Sequence, residues 1–380
     1  MPANKFYQGG RIKIPTAPRL YRILCCVLLP LLFSACARPQ PAAHDGPVRV
    51  DFAQLPFPKL SDYHFFKGDM TAMVPNDRVL PYELITPLFT DYAHKTRFVW
   101  MPQGTAPARV DAQGRIEFPD EAVLIKNFYY PRDFREPEGQ RDMVETRLLV
   151  KNKGEWKAYT YVWNEGDTDA EFTQVGDIKE VEWKDEKGLA RQVSYVVPNK
   201  NQCKSCHNRE NAVQPIGPQV RNLNQSITYP DGLARNQIAY LQEAGYLEAG
   251  DFQKTIAPVA DWDDPHSGDL NARALAYLDV NCGHCHNPSG PAHTTGLYLG
   301  ALQKDPALLG VHKPPVAAGR GSGNRAFGIV PGQPEGSILL YRMESDDPGI
   351  MMPELGRAVA HDEAVALIRE WIAKMPEKGF

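Results

Sequence analysis

Two pentapeptides in this 380-residue chain place a histidine directly after a spaced pair of cysteines: Cys203-Lys204-Ser205-Cys206-His207 and Cys282-Gly283-His284-Cys285-His286. Cysteines at this spacing can each take one vinyl group of a porphyrin as a thioether, and the adjacent histidine then sits under the iron as proximal ligand. The chain has 7 cysteines and 10 histidines, a composition from which roughly 0.003 such patterns are expected by chance. The pair therefore predicts two covalently bound haem c groups, held by Cys203 and Cys206 and by Cys282 and Cys285, with His207 and His286 on the irons. Zinc is the bland alternative, but the two Cys-x-x-Cys pairs stand much further apart than the roughly 15–20 residues of a zinc ribbon. A redox dithiol is another, matching Cys282-Gly283-His284-Cys285. It requires a thioredoxin-like strand just before the motif, where the pattern is helical, and it leaves both histidines without a role.

The two motifs sit in different surroundings. Residues 49–200 read as β-rich: strand-like runs at Arg97 to Met101 and Ala122 to Tyr130 precede two hairpins, Glu145 to Lys151 with Lys157 to Trp163 and Ile178 to Trp183 with Arg191 to Val197. An antiparallel β-sandwich-like domain is expected there. The first motif follows almost directly, in a haem-binding segment at 201–265 with a helical stretch from Leu233 to Tyr246. The second motif ends a helix from Leu270 to Val280 capped by Asp269, and Glu363 to Met375 carries a second amphipathic pattern. These features predict an all-α, class I cytochrome c-like domain at 266–380. Met351-Met352-Pro353 occupies the loop where that fold supplies a distal methionine, and Met352 is the expected partner of His286.

The N-terminus carries an export signal. Lys5, Arg11, Lys13, Arg19 and Arg22 precede the apolar run Ile23 to Phe33 and then Ser34-Ala35-Cys36, the layout of a signal peptide at 1–35. Small residues before the cysteine predict that Cys36 is lipidated, followed by a Pro- and Ala-rich tether at 36–48. This accounts for every cysteine: Cys25 and Cys26 leave with the signal, Cys36 takes lipid and four take haem. Removing 1–35 takes away five positive charges and no negative ones, moving the formal balance from −4 to −9. An acidic protein favours basic docking surfaces on its partners and argues against nucleic acid.

Three stretches carry a family resemblance beyond the motifs: Leu88-Phe89-Thr90-Asp91-Tyr92-Ala93, Tyr195-Val196-Val197-Pro198-Asn199-Lys200-Asn201-Gln202-Cys203, and Pro348 to Arg357. With the haem motifs, they resemble a family of bacterial dihaem c-type cytochrome lipoproteins. The resemblance implies haem binding and electron transfer in the periplasm alongside a β-helical exported partner, while Ala37, with no Asp after the lipidated Cys36, predicts sorting to the outer membrane. The leading expectation is an electron carrier between exported donor and acceptor proteins; the alternative is a haem enzyme such as a peroxidase acting at the first haem.

That alternative arises because no Met or His lies between His207 and His266, so a distal ligand for the first haem has to come from elsewhere or be absent. His44, His64, His94, Met70, Met73, Met101, Met143 and His266 are conceivable, with His94 taken first. His284, His293, His312 and His361 read as solvent or packing residues. The run Gly319 to Gly323 lacks the Lys-Ser/Thr ending of a phosphate loop; a surface loop whose Arg320 or Arg325 meets a propionate is the better reading.

Overall fold

The computed structural model describes residues 46–377. The expected signal peptide, Cys36, His44 and nearly all of the tether thus lie outside the described residues. Six strands follow one another as an antiparallel meander: β1 (Leu80–Pro81), β2 (His94–Trp100), β3 (Val123–Pro131), β4 (Arg141–Asn152), β5 (Glu155–Trp163) and β6 (Ala170–Thr173). The tight turn between β4 and β5 pairs Asn152 with Glu155. A separate two-stranded ribbon, β7 (Asp177–Lys184) and β8 (Ala190–Val197), forms the second hairpin.

Alternation along each strand separates two faces. Phe98, Trp100, Val123, Ile125, Leu148, Val150, Tyr161 and Trp163 point to the back, where residues from Phe57 to Val79 cover them. The Tyr63 and Tyr161 hydroxyls meet there at 2.6 Å, and Tyr161 donates to the Phe57 carbonyl at 2.9 Å. A buried aromatic pair whose hydroxyls are both satisfied fixes the covering segment against the sheet.

The front face is divided. Val99, Met101 and Leu124 pack beneath Val220, Leu223, Ile238 and Leu241. Phe128 and Tyr130 pack against Val181, Trp183, Val193 and Tyr195 of the ribbon. Between these apolar patches the sheet presents charged side chains, and there the site forms. The ribbon is a small second layer of two strands over one end of the six-stranded sheet, joined to the chain after β3 by a bridge between Asp133 and Lys184.

The expected all-α C-terminal domain is not what forms. The fold is mostly antiparallel β and only 23% helical. Beyond residue 266 the α-helices are Leu270–Leu278, Pro306–Leu309, Ile338–Glu344 and Asp362–Lys374, joined by long irregular connections. The stretch between the second motif and Ile338 is crowded with Gly and Pro, which terminate helices. An amphipathic pattern at each end of a region locates two helices but does not make the sequence between them helical. The apolar faces of Leu270–Leu278 and Asp362–Lys374 still share a core with Leu299, Ile329 and Leu340. The described residues all belong to one compact unit.

Candidate functional site

The first motif lies on helix α1 (Lys200–Cys206), which starts as soon as β8 ends. Asn199 caps it by accepting from the amides of Asn201 and Gln202, while the Gln202 side chain returns to the Asn199 amide. This reciprocal cap sets where Cys203 and Cys206 emerge. Cys203 is buried, its sulfur 4.0 Å from the Thr160 hydroxyl on β5. His207 follows with Nδ1 2.7 Å from the Gln214 carbonyl. A carbonyl only accepts, so Nδ1 carries the proton and Nε2 keeps its lone pair.

The second motif ends helix α2 (Leu270–Leu278), capped by Asp269 through the Ala272 amide. The helix widens into a π-helical turn, Asp279–Gly283, a deformation common at functional sites. Gly283 is required there, since a Cβ would stand 2.8 Å from the Leu299 carbonyl oxygen. The His286 Nδ1 lies 3.2 Å from the Thr295 hydroxyl, which itself donates to Ala292. That hydroxyl accepts from the ring, again leaving Nε2 free.

Each motif opens onto its own cavity. Cys203, Cys206 and His207 line one of about 290 Å³; Cys282, Cys285, His286 and Met352 line another of about 380 Å³. These volumes stand at the lower end of the roughly 300–1,000 Å³ of cofactor sites. The cavities share a wall: Cys206, Cys282, His284 and Met352 border both. The motif loops are also tied together, with Ser289 Oγ donating to Glu210 at 2.7 Å and the Glu210 amide donating to the Ser289 carbonyl at 3.0 Å. Asn281 accepts from the Phe89 amide at 2.8 Å, and Asp91 accepts from Ala358 and Val359 at 2.6 and 3.0 Å. The segment from Leu88 to Ala93 thus joins sheet, second motif and C-terminal loop.

The floor of the first cavity is a row of cations that the sequence analysis did not single out. Arg97, Lys126 and Arg147 are register partners on β2, β3 and β4, and Arg147 faces Thr160 on β5. Like charges directly opposite on a sheet repel. Arg147 is neutralised by the fully buried Glu145, which also accepts from the Tyr195 hydroxyl at 2.6 Å. Burial works against the Arg147 charge, yet Glu145 raises its pKa overall. Lys126 and Arg97 have no such carboxylate. Burial and then Arg97 push Lys126 well below the ordinary lysine range, and burial lowers Arg97, only 7% exposed, with its Nη2 lacking any hydrogen-bond partner. A lone cation within an apolar strand, as in Leu124-Ile125-Lys126 or Arg97-Phe98-Val99, was the signal available in the sequence.

Met352 is held by its backbone. Its amide donates to the Arg342 carbonyl at 2.9 Å, and its carbonyl accepts from Arg357 at 3.0 Å. Met351 lines only the first cavity. His94 lines neither cavity; it packs against Phe134 and Tyr129, with ring centroids 4.7 and 5.8 Å away. Met70, Met73 and Met143 are in the back core and Met101 in the front one. His64 lies near Pro47 and His266 is exposed, so neither reaches a cavity. Arg320 pairs with Asp347 at 2.6 Å, while Arg325 donates to Glu335 and Gly323 carbonyls and covers Tyr341. Both arginines are engaged away from the cavities.

No family model, curated protein or solved structure matches this chain. The site is therefore judged on its chemistry. Among the described residues, no three His, Cys, Asp or Glu side chains converge as a metal cage, and each cysteine pair instead borders a largely apolar hollow. Burial raises the Cys203 and Cys206 thiols and pushes those of Cys282 and Cys285 up to about 12. It pulls His207 and His286 down to about 4. Neutral imidazoles with free Nε2 atoms, paired sulfurs and an unbalanced cation row fit a planar, metal-bearing group with carboxylate substituents.

Proposed function

We propose that this chain is an exported dihaem c-type cytochrome that relays single electrons between periplasmic donor and acceptor proteins from a lipid-anchored position at the outer membrane. The observation that carries the reading is that both Cys-x-x-Cys-His motifs border cavities and that the cavities share a wall. Bound haem would supply one-electron redox chemistry at iron.

The chain's own residues do the rest. Cys203 with Cys206, and Cys282 with Cys285, hold the two groups as thioethers. Gln214 and Thr295 orient the His207 and His286 rings so that each presents Nε2; such outer partners also raise ligand basicity. Met352, fixed by Arg342 and Arg357, lines the second cavity together with His286, and a methionine ligand would raise the potential of a haem held there. In the first cavity, strand spacing of about 4.8 Å sets Arg97 roughly 14 Å from Thr160 and hence from Cys203, comparable with the long dimension of a haem. Lys126 and Arg97 would meet the propionates of a group tethered at Cys203, and the residues common to both cavities would stand between the two groups. The resemblance to dihaem cytochrome lipoproteins points the same way, and an acidic mature chain favours basic partners.

The test is a haem count. Denatured protein from a host with active haem attachment should give a pyridine haemochrome of two per chain, and Cys203→Ser with Cys206→Ser should give one. A wild-type count of zero or one refutes the reading.

A further inference from the structure

We infer that His284, inside the second motif, is the sixth ligand of the iron carried by His207. The inference rests on the dihaem reading and adds the ligand that the first site lacks.

Tyr277 on the last turn of α2, Val280 and Asn281 in the π-helical turn, and His284 at its end all line the first cavity. They belong to the segment that carries the second motif. Tyr277 and Val280 line the first cavity alone, whereas Asn281 and His284 stand on the wall common to both, so that segment also closes its neighbour's cavity.

His284 is also prepared as a ligand. Its Nδ1 lies 3.0 Å from the Val280 carbonyl, which can only accept, so Nδ1 carries the proton and Nε2 has a free lone pair. Donation of the other ring N–H to a backbone carbonyl is the usual companion of metal ligation by histidine, and His207 has the same arrangement with Gln214. His293 makes a similar bond to Gly290 but lines neither cavity, so the bond and the position are both needed.

The competing groups on this wall are less suited. His361 stacks on Phe89 at 4.0 Å; its Nδ1 meets the Tyr277 hydroxyl at 3.2 Å and its Nε2 faces Glu363 at 3.8 Å. Both nitrogens look into its own aromatic nest. Met343 belongs to the C-terminal core. Met351 is the remaining rival; it lines the first cavity, with its amide donating to the Asp347 carbonyl at 2.8 Å.

The experiment uses the full chain with both haems attached, counted first by pyridine haemochrome; a count below two defeats the dihaem reading itself, before ligation is measured. Low-temperature paramagnetic resonance and near-infrared magnetic circular dichroism of the wild type should show one bis-histidine and one histidine–methionine haem. His284→Ala should keep two haems and the histidine–methionine band, while one haem turns high-spin and its ferrous form binds one equivalent of carbon monoxide. His284→Met should replace the bis-histidine signature by a second histidine–methionine set and raise one potential. Two histidine–methionine haems or a high-spin haem in the wild type would overturn the assignment. So would a low-spin His284→Ala protein, or opening of the site by Met351→Leu. Should His284→Ala fail to accumulate, the wild-type spectra decide alone.

Discussion

Replacing Arg97 by Met separates a cofactor cradle from a merely structural cation, because the two predict opposite signs. Arg97 is 7% exposed, its Nη2 has no hydrogen-bond partner, and its register neighbour is the cationic Lys126. A buried donor left unpaired costs about 1–3 kcal/mol, and an opposed like charge adds about 0.2–1 kcal/mol. Methionine keeps the unbranched apolar stem and removes the charge. In a chain whose first site cannot be loaded, made by Cys203→Ser with Cys206→Ser, Arg97→Met should therefore stabilise by about 1–3 kcal/mol. In the loaded protein the guanidinium meets a carboxylate, and losing that charge-assisted bond should cost about 1.5–3 kcal/mol. Taking the lower bounds, the same substitution differs by at least about 2.5 kcal/mol between backgrounds. Urea unfolding at neutral pH, read as midpoint and slope, measures both. An equal change in the two backgrounds refutes the cradle and leaves Arg97 a packing residue.

Three further outcomes are expected. Met352→Ala should abolish the near-infrared sulfur–iron band and lower one potential, whereas Met351→Ala should leave both nearly unchanged; the reverse pattern, by potentiometric titration, moves the ligand by one residue. Burial, with Lys95 adding to it, pulls His94 down to about 4 and His361 down to about 3, so the unfolded chain binds protons that the folded one refuses. Stability should fall as pH drops below about 6.5, the unfolded histidine value, towards those folded values. His361→Phe should flatten the decline of the urea midpoint between pH 7 and 4, and an unchanged slope would count against it. Cys36→Ser should shift the mature protein from the detergent phase to the aqueous phase, with mass spectrometry of the N-terminus reading the lipid directly.

The local signals in the sequence were those with short range. The hairpins around Asn152 to Glu155 and Asp185 to Gly188, the Asp269 cap and the amphipathic run at Glu363 to Met375 depend on neighbouring residues, and their elements lie within a few positions of where the pattern put them. The C-terminal domain was misjudged because it was inferred from two helices and a motif, while the Gly- and Pro-rich stretch between them was given no weight. His94 lies close to Tyr92 in the sequence, but the rings that pack on it are Tyr129 and Phe134, and it lines neither cavity. The Arg97, Lys126 and Arg147 row depends on pairing between three strands, and no single strand announces its register. His284 was hidden by its own motif, where attention falls on the cysteines and the following histidine.

The wall common to both cavities bears on how such a protein is made. Cys206 and Cys282 border both hollows, Cys203 is buried and the other three motif cysteines are half-buried, and the Ser289–Glu210 tie closes one motif loop upon the other. A chain that folded first would seal its sulfurs away from any incoming vinyl group, so under the dihaem reading both attachments have to precede closure. Because neither hollow is complete without its neighbour, a half-loaded chain leaves the joint surface unfinished.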